Sequence, residues 1–200
     1  MIVLSESELH EIVHRVVLRT IGKYDLDSTS RSGSSKQIFE PEDLQASQQQ
    51  KLLNRRIAIG ADHGGYTLKE DLKLFLQNQG YQVDDYGTYS TDSVDYPDFA
   101  YAVADKVGKN EAWRGIIIDG AGIGSCMVAN KVPGVRAAMC YNLPTALNSR
   151  EHNNANVLTL GAGMINPTLA RQIVETWLNT VFSGGRHARR VDKIMEIERR

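Results

Sequence analysis

Four clusters of polar side chains in this 200-residue chain could do chemistry. Gly60-Ala61-Asp62-His63-Gly64-Gly65 sets a carboxylate and an imidazole beside glycines that let backbone approach a ligand closely. Asp119-Gly120-Ala121-Gly122-Ile123-Gly124-Ser125 follows an apolar run, which delivers the acid to a glycine-rich turn whose N–H groups can hold an anion or a developing oxyanion. His152 stands in a polar stretch, Asn148 to Asn156, as a candidate proton carrier. Arg186 and Arg190, four apart after Gly184-Gly185, share one helix face and can clamp a phosphate. Each cluster also has a plain structural reading: Asp62 and Asp119 as helix caps, His152 as an exposed loop residue, the arginines as a solvated basic turn. For Asp119 the functional reading is favoured, because the end of an apolar strand is where a sheet presents chemistry. The glycine turn is not a dinucleotide fingerprint, since Met127 stands where a third glycine would be needed, and no lysine occupies the Walker position.

These clusters need elements to hold them. From residue 57 on, short β-branched runs alternate with amphipathic stretches, the pattern of a parallel sheet covered on both faces. Strands are predicted at 57–62, 81–86, 114–119, 136–141 and 156–160. Helices are predicted at 66–79, 97–109, 126–131, 144–150, 167–182 and 187–198, and Pro97, Pro144 and Pro167 each suit a first helical turn. The expected fold is α/β, a five-stranded parallel sheet in a Rossmann-like three-layer sandwich. Ligands of such sheets lie beyond the C-terminal strand ends, where Asp62 and Asp119 fall.

The first 55 residues differ in texture. Ser5 and Glu8 form a capping-box pattern, and Leu9, Ile12, Val13, Val16, Val17 and Ile21 recur at helical spacing, predicting an amphipathic helix within 1–23. Residues 24–55 are serine-rich and nearly free of apolar side chains over most of their length, which predicts a flexible linker. The α/β domain would then span 56–200. With 23 basic and 24 acidic side chains the net charge is -1, too little for the positive field that nucleic acid binding needs. Two cysteines are too few for a disulfide scaffold, and no apolar run is long enough to span a bilayer. Glu6, Glu8 and Glu11 argue against a secretory signal, so a cytoplasmic protein is expected.

Taken together and in order, Gly60-Ala61-Asp62-His63-Gly64-Gly65, Asp95-Tyr96-Pro97, Gly120-Ala121-Gly122-Ile123-Gly124, Ala129-Asn130-Lys131, the run from Arg150 to Val157 and Gly184-Gly185-Arg186-His187 resemble the ribose-5-phosphate isomerase B and galactose-6-phosphate isomerase family. The resemblance covers about 56–200. It implies an aldose–ketose isomerase acting on a phosphosugar through an enediolate, with no metal and no organic cofactor. It also implies a homodimer or dimer of dimers with active sites shared between subunits. By resemblance, His152 and Asp62 assist ring opening, Gly120, Ala121, Gly122 and Gly124 face the enediolate oxygens, Arg186 and Arg190 bind the phosphate, His63 and Asn153 lie near the substrate, and Arg136 adds positive field.

The chain departs from the family at its base. Cysteine-using members carry that residue at the position of Asp119, with threonine at that of Ala121, and another subgroup has glutamate at that of Ser125. Asp119 is therefore the expected substitute base, and Cys126, opening a helix, is expected to be a buried, unreactive thiol. A sugar-phosphate-binding subunit with little catalysis, or an isomerase of a hexose 6-phosphate, stands as the alternative. The N-terminal helix resembles peptides that recruit enzymes into bacterial microcompartments, so a shell or core-enzyme partner is expected for 1–23; membrane binding is disfavoured by its few basic residues.

Overall fold

The computed structural model describes residues 55–200, so the helix expected within 1–23 and nearly all of the linker lie outside the described residues. The strands are β1 (Arg56–Ala61), β2 (Gln82–Asp85), β3 (Arg114–Asp119), β4 (Ala137–Met139) and β5 (Val157–Gly161). The helices are α1 (Tyr66–Asn78), α2 (Tyr96–Gly108), α3 (Ile123–Ala129), α4 (Leu143–Glu151), α5 (Pro167–Asn179) and α6 (Arg186–Ile197). All strand pairs are parallel, in the order β2-β1-β3-β5-β4. This is the expected five-stranded α/β sandwich. Among the described residues no helix is long and apolar enough to cross a membrane.

Alternation along the strands explains the two layers. Ile57, Ile59, Ile116, Ile118, Leu158 and Leu160 point to one face and bury Leu68, Leu72 and Leu76 of α1 and Ile173, Val174 and Trp177 of α5. Ala58, Ile117 and Val157 point to the other, under Ala100, Val103, Ala104 and Val107 of α2. Small residues on this second face bring α2 close: a Cβ at Gly60 would lie 2.7 Å from Val103 Cγ2.

The two largest departures from the expected boundaries are of three residues each. Helix α3 begins at Ile123 rather than 126, because the turn before it is already pinned by Asp119. Helix α5 ends at Asn179, where Thr180 turns extended and its hydroxyl bonds Thr176 O at 2.6 Å.

Candidate active site

Strand order reverses between β1 and β3, since the chain leaves β1 toward β2 on one side and leaves β3 toward β4 and β5 on the other. The turns after these two strands therefore flank a crevice at the C-terminal rim. They nearly touch: a Cβ at Gly64 would lie 3.6 Å from Gly120 N. Asp62 is buried, and its Oδ1 accepts a hydrogen bond from Gly65 N at 2.9 Å, which squares the entry into α1. His63 is exposed, with Nδ1 3.2 Å from Val94 O and 3.3 Å from Val94 N, so it docks on the loop after β2.

That loop is itself anchored by a buried ion pair the sequence did not reveal. Lys69 of α1 is fully buried and puts Nζ 2.7 Å from both carboxylate oxygens of Asp85, at the end of β2. Burial opposes ionisation of Asp85, but hydrogen bonds from Lys69 and Lys73 outweigh it and hold the carboxyl below its ordinary value. Asp85 also accepts from Gly87 N at 3.0 Å, fixing the first residues of the loop that reaches His63.

Asp119 is buried at the end of β3, and its carboxylate is turned into its own turn. Oδ1 accepts from Ala121 N at 2.8 Å and from Gly122 N. Oδ2 accepts from Ser125 N at 3.1 Å and from Ser125 Oγ at 2.5 Å. The acid thus caps α3 whatever else it does. The N–H groups of Ala121 and Gly122, expected to face the enediolate, are directed to Asp119 instead. Those of Gly120, Ile123 and Gly124 have no hydrogen-bond partner among the described residues and remain for a ligand. The turn is braced from outside by Thr159 Oγ1 on Gly122 O at 2.8 Å and Tyr141 OH on Ala121 O at 2.9 Å. Cys126 is half-buried, pointing toward Ala137 O, 3.6 Å from its sulfur, and burial pushes its thiol pKa up.

The remaining residues form a second cluster elsewhere. His152 ends α4, with Nδ1 2.8 Å from Asn148 Nδ2, and its ring stacks on His187 with centroids 4.2 Å apart and planes within 1°. Arg186 Nε lies 3.3 Å from His187 Nε2, Arg190 is exposed one turn on, and Asn153 Nδ2 lies 3.3 Å from Asn148 Oδ1. Burial, then His152, Arg186 and Arg190, lower the pKa of His187. A bond from Ser183 N to Glu151 O, 3.0 Å, ties the segment before α6 to the end of α4.

The two clusters do not meet within one protomer. Asn156, just past the second cluster, accepts from Gly115 N at the start of β3, whereas Asp119 ends that strand, about 13 Å away at 3.3 Å per residue. Arg136 is not at the rim either. Preceding β4, it stands at the N-terminal end of the sheet, with Nε on Asn154 O at 3.0 Å and Nη1 near Met195 Sδ. Arg136 therefore lies at the end of its own sheet opposite Asp119, beside the segment that carries His152 and Asn153. Sequence reasoning passed over Ser125 and Asn148 as partners of Asp119 and His152. It quoted His187 within a motif without giving it a place in the site.

Comparison with known proteins agrees with this architecture. The family model described as Ribose/Galactose Isomerase matches residues 57–194. Ribose-5-phosphate isomerase B of Escherichia coli (strain K12) is 42% identical over 146 residues, 73% of this chain and 98% of the relative. The solved ribose-5-phosphate isomerase B of Clostridium thermocellum is 54% identical, with a TM-score of 0.71 over 72% of this chain and 97% of that one. The enzyme from Mycoplasma genitalium, solved with bound ribulose-5-phosphate, is 44% identical, with a TM-score of 0.71 over 73% of this chain and 97% of that one. With the family model matched over 57–194 and relatives above 40% identical over nearly their whole length, this chain belongs to the Ribose/Galactose Isomerase family.

Proposed function

We propose that this protein interconverts ribose 5-phosphate and ribulose 5-phosphate in a cytoplasmic site shared between two copies of the chain. The observation that carries the reading is the crevice at the rim, where a buried carboxylate lies beside unpartnered backbone N–H groups, in a family with a member solved holding ribulose-5-phosphate. Asp119 takes the proton from C2 of the open-chain aldose. The C2–H electrons form the C1–C2 double bond, negative charge passes to the C1 oxygen, and the enediolate is met by the N–H groups of Gly120 and Gly124. O1 then gains a proton, O2 loses one, and Asp119 returns its proton to C1, giving the ketose. Of the donors to Asp119, the Ser125 hydroxyl is the one that can rotate away, and its rotation frees a lone pair on Oδ2 for this task.

His152 of the partner subunit and Asp62 serve ring opening, while the partner's Arg186 and Arg190 hold the phosphate, with His63 and Asn153 beside the substrate. Separation of the two clusters in one protomer supports this sharing, since a second copy turned end for end would bring them together. A dimer, or a dimer of dimers, follows. The apolar pattern of Leu9, Ile12, Val13 and Val16 supports a separate docking segment at 1–23, joined through a linker at 24–55 to a catalytic domain at 56–200, with a microcompartment shell or core enzyme as its partner.

One observation favours a second reading. A carboxylate already accepting four hydrogen bonds suits a structural cap, so the chain would then bind phosphosugars with little catalysis. Incubating the purified chain with ribose 5-phosphate and a panel of hexose 6-phosphates, while following ketose formation and solvent exchange of the C2 proton, separates the two. Turnover of ribose 5-phosphate is expected. Binding without exchange establishes the binding subunit, and turnover of a hexose 6-phosphate alone moves the substrate to six carbons.

A further inference from the structure

At the N-terminal end of the sheet, away from the rim, lies a cavity of about 610 Å³ lined by Arg56, Glu111, Trp113, Arg114, Arg136 and Asn156 among others. Three arginines line it, and two more stand behind, Arg55 with its Cζ 4.3 Å from the Trp113 ring centre and Arg150 5.7 Å from that of Trp177. Acid compensation is thin. Arg56 pairs with Asp84 at 3.2 Å, while Glu111 is engaged by Lys106 at 2.7 Å. Arg114 has no carboxylate partner among the described residues; its Nη1 donates to Trp113 O at 2.9 Å, and its buried Nε has no acceptor. The Nε of Arg150 is likewise buried without an acceptor.

Burial, then Arg150, Arg55 and Arg136, lower the pKa of Arg114 to about 9, and burial with Arg136 lowers that of Arg150 to about 10. Arginines gathered with few acids around a polar cavity favour an oxyanion, which supplies both the missing charge and the hydrogen-bond acceptors a guanidinium takes.

We propose that this cavity is a second anion site, distinct from the rim crevice, which takes a phosphate-type oxyanion on Arg56, Arg114 and Arg136 against the edge of Trp113. It does not depend on the isomerase reading. The site is separated from the rim by the length of β3, and the Arg186→Ala/Arg190→Ala variant tests its distinctness from the His152 cluster, which Asn154 adjoins.

Inorganic pyrophosphate tests this through the intrinsic fluorescence of the full chain, because Trp113 lines the cavity and the other tryptophan, Trp177, lies in the core. The titration is run in wild type and in Arg186→Ala/Arg190→Ala, which removes the proposed substrate phosphate clamp, with sodium chloride of matched ionic strength as control. A saturable change is expected in both proteins and not with chloride. Arg114→Gln should weaken pyrophosphate binding by about tenfold or more. Arg56→Gln, an exposed change with little risk to folding, should weaken it severalfold, and basal turnover should stay unchanged in both. A response that vanishes with Arg186 and Arg190, one matched by chloride, or one with equal affinity in Arg56→Gln and wild type would overturn the proposal.

Discussion

Asp119→Asn keeps the side chain's size and removes its basicity, so turnover should fall by at least about a hundredfold while phosphosugar binding is largely kept. The amide would also turn an NH2 toward backbone donors, so the thermal midpoint must be followed alongside the kinetics. Ser125→Ala separates the two effects, since it removes one donor from Oδ2 without touching the carboxylate. Full turnover in Asp119→Asn would sink the base assignment. An inactive wild type that gains activity on Asp119→Cys with Ala121→Thr would establish the binding subunit instead. His187 offers an independent reading of the second cluster. Its lowered pKa comes from burial and from His152, Arg186 and Arg190, so an anion seated on those arginines should raise it again. In a proton NMR titration His187 is expected to titrate below 6.5 in the free protein and to move upward with inorganic phosphate or with Arg190→Ala. A value above 6.5 without phosphate would contradict the cluster's electrostatics.

The elements carry their own test in the Lys69–Asp85 pair that joins α1 to the end of β2. Lys69→Met leaves a carboxylate of low exposure with Lys73 as its remaining cation, and should cost about 3 kcal/mol in urea denaturation, near the lower end for breaking a buried pair. Because the folded pKa of Asp85 is depressed, its contribution is present above its unfolded value near 3.8 and is lost as pH falls through the lower folded value. Stability of the wild type should therefore stay level on this account down to about pH 4 and fall below it, and Lys69→Met should flatten that fall. Most of this framework could be read beforehand: isoleucine alternating with alanine and glycine gave the strands, and Pro97, Pro144 and Pro167 gave three helix starts. Local sequence carries that information because strand and helix periods are local. Lys69 could not be read, because a lysine on an amphipathic helix looks solvated until the partner strand supplies Asp85. The start of α3 was missed for a similar reason: a side chain at residue 119 captures the N–H groups that set it. Arg136 precedes β4, so its place opposite Asp119 and beside the His152 segment was legible in the sequence.

Over the molecule as a whole, the docking segment and the catalytic domain should be separable. Deleting residues 1–50 is expected to leave an oligomer with unchanged catalytic constants, while a reporter fused to 1–23 should be drawn to a partner through Leu9, Ile12, Val13 and Val16, and lose it on Val13→Glu. Aggregation or inactivity of the shortened protein would instead assign the segment to the enzyme's own core. The site itself makes a stricter demand. Asp62, His63 and Asp119 lie at one end of the sheet and His152, Asn153 and Arg186 toward the other, so a protomer offers two incomplete halves. If two copies complete each other, Asp119→Asn and Arg186→Ala/Arg190→Ala damage different halves of every site. Each variant alone then has no intact site. In a hybrid dimer, however, one site collects both lesions and the other none. Unfolding and refolding the two variants together at equal amounts makes half the dimers hybrids, so about a quarter of all sites should be intact and turnover should return to about a quarter of wild type. Refolding each variant alone controls for gain by refolding itself. No recovery from a mixture shown to contain hybrids would mean that each protomer builds its site from its own residues, and the assignment of the His152 cluster to a neighbour's substrate would fall with it.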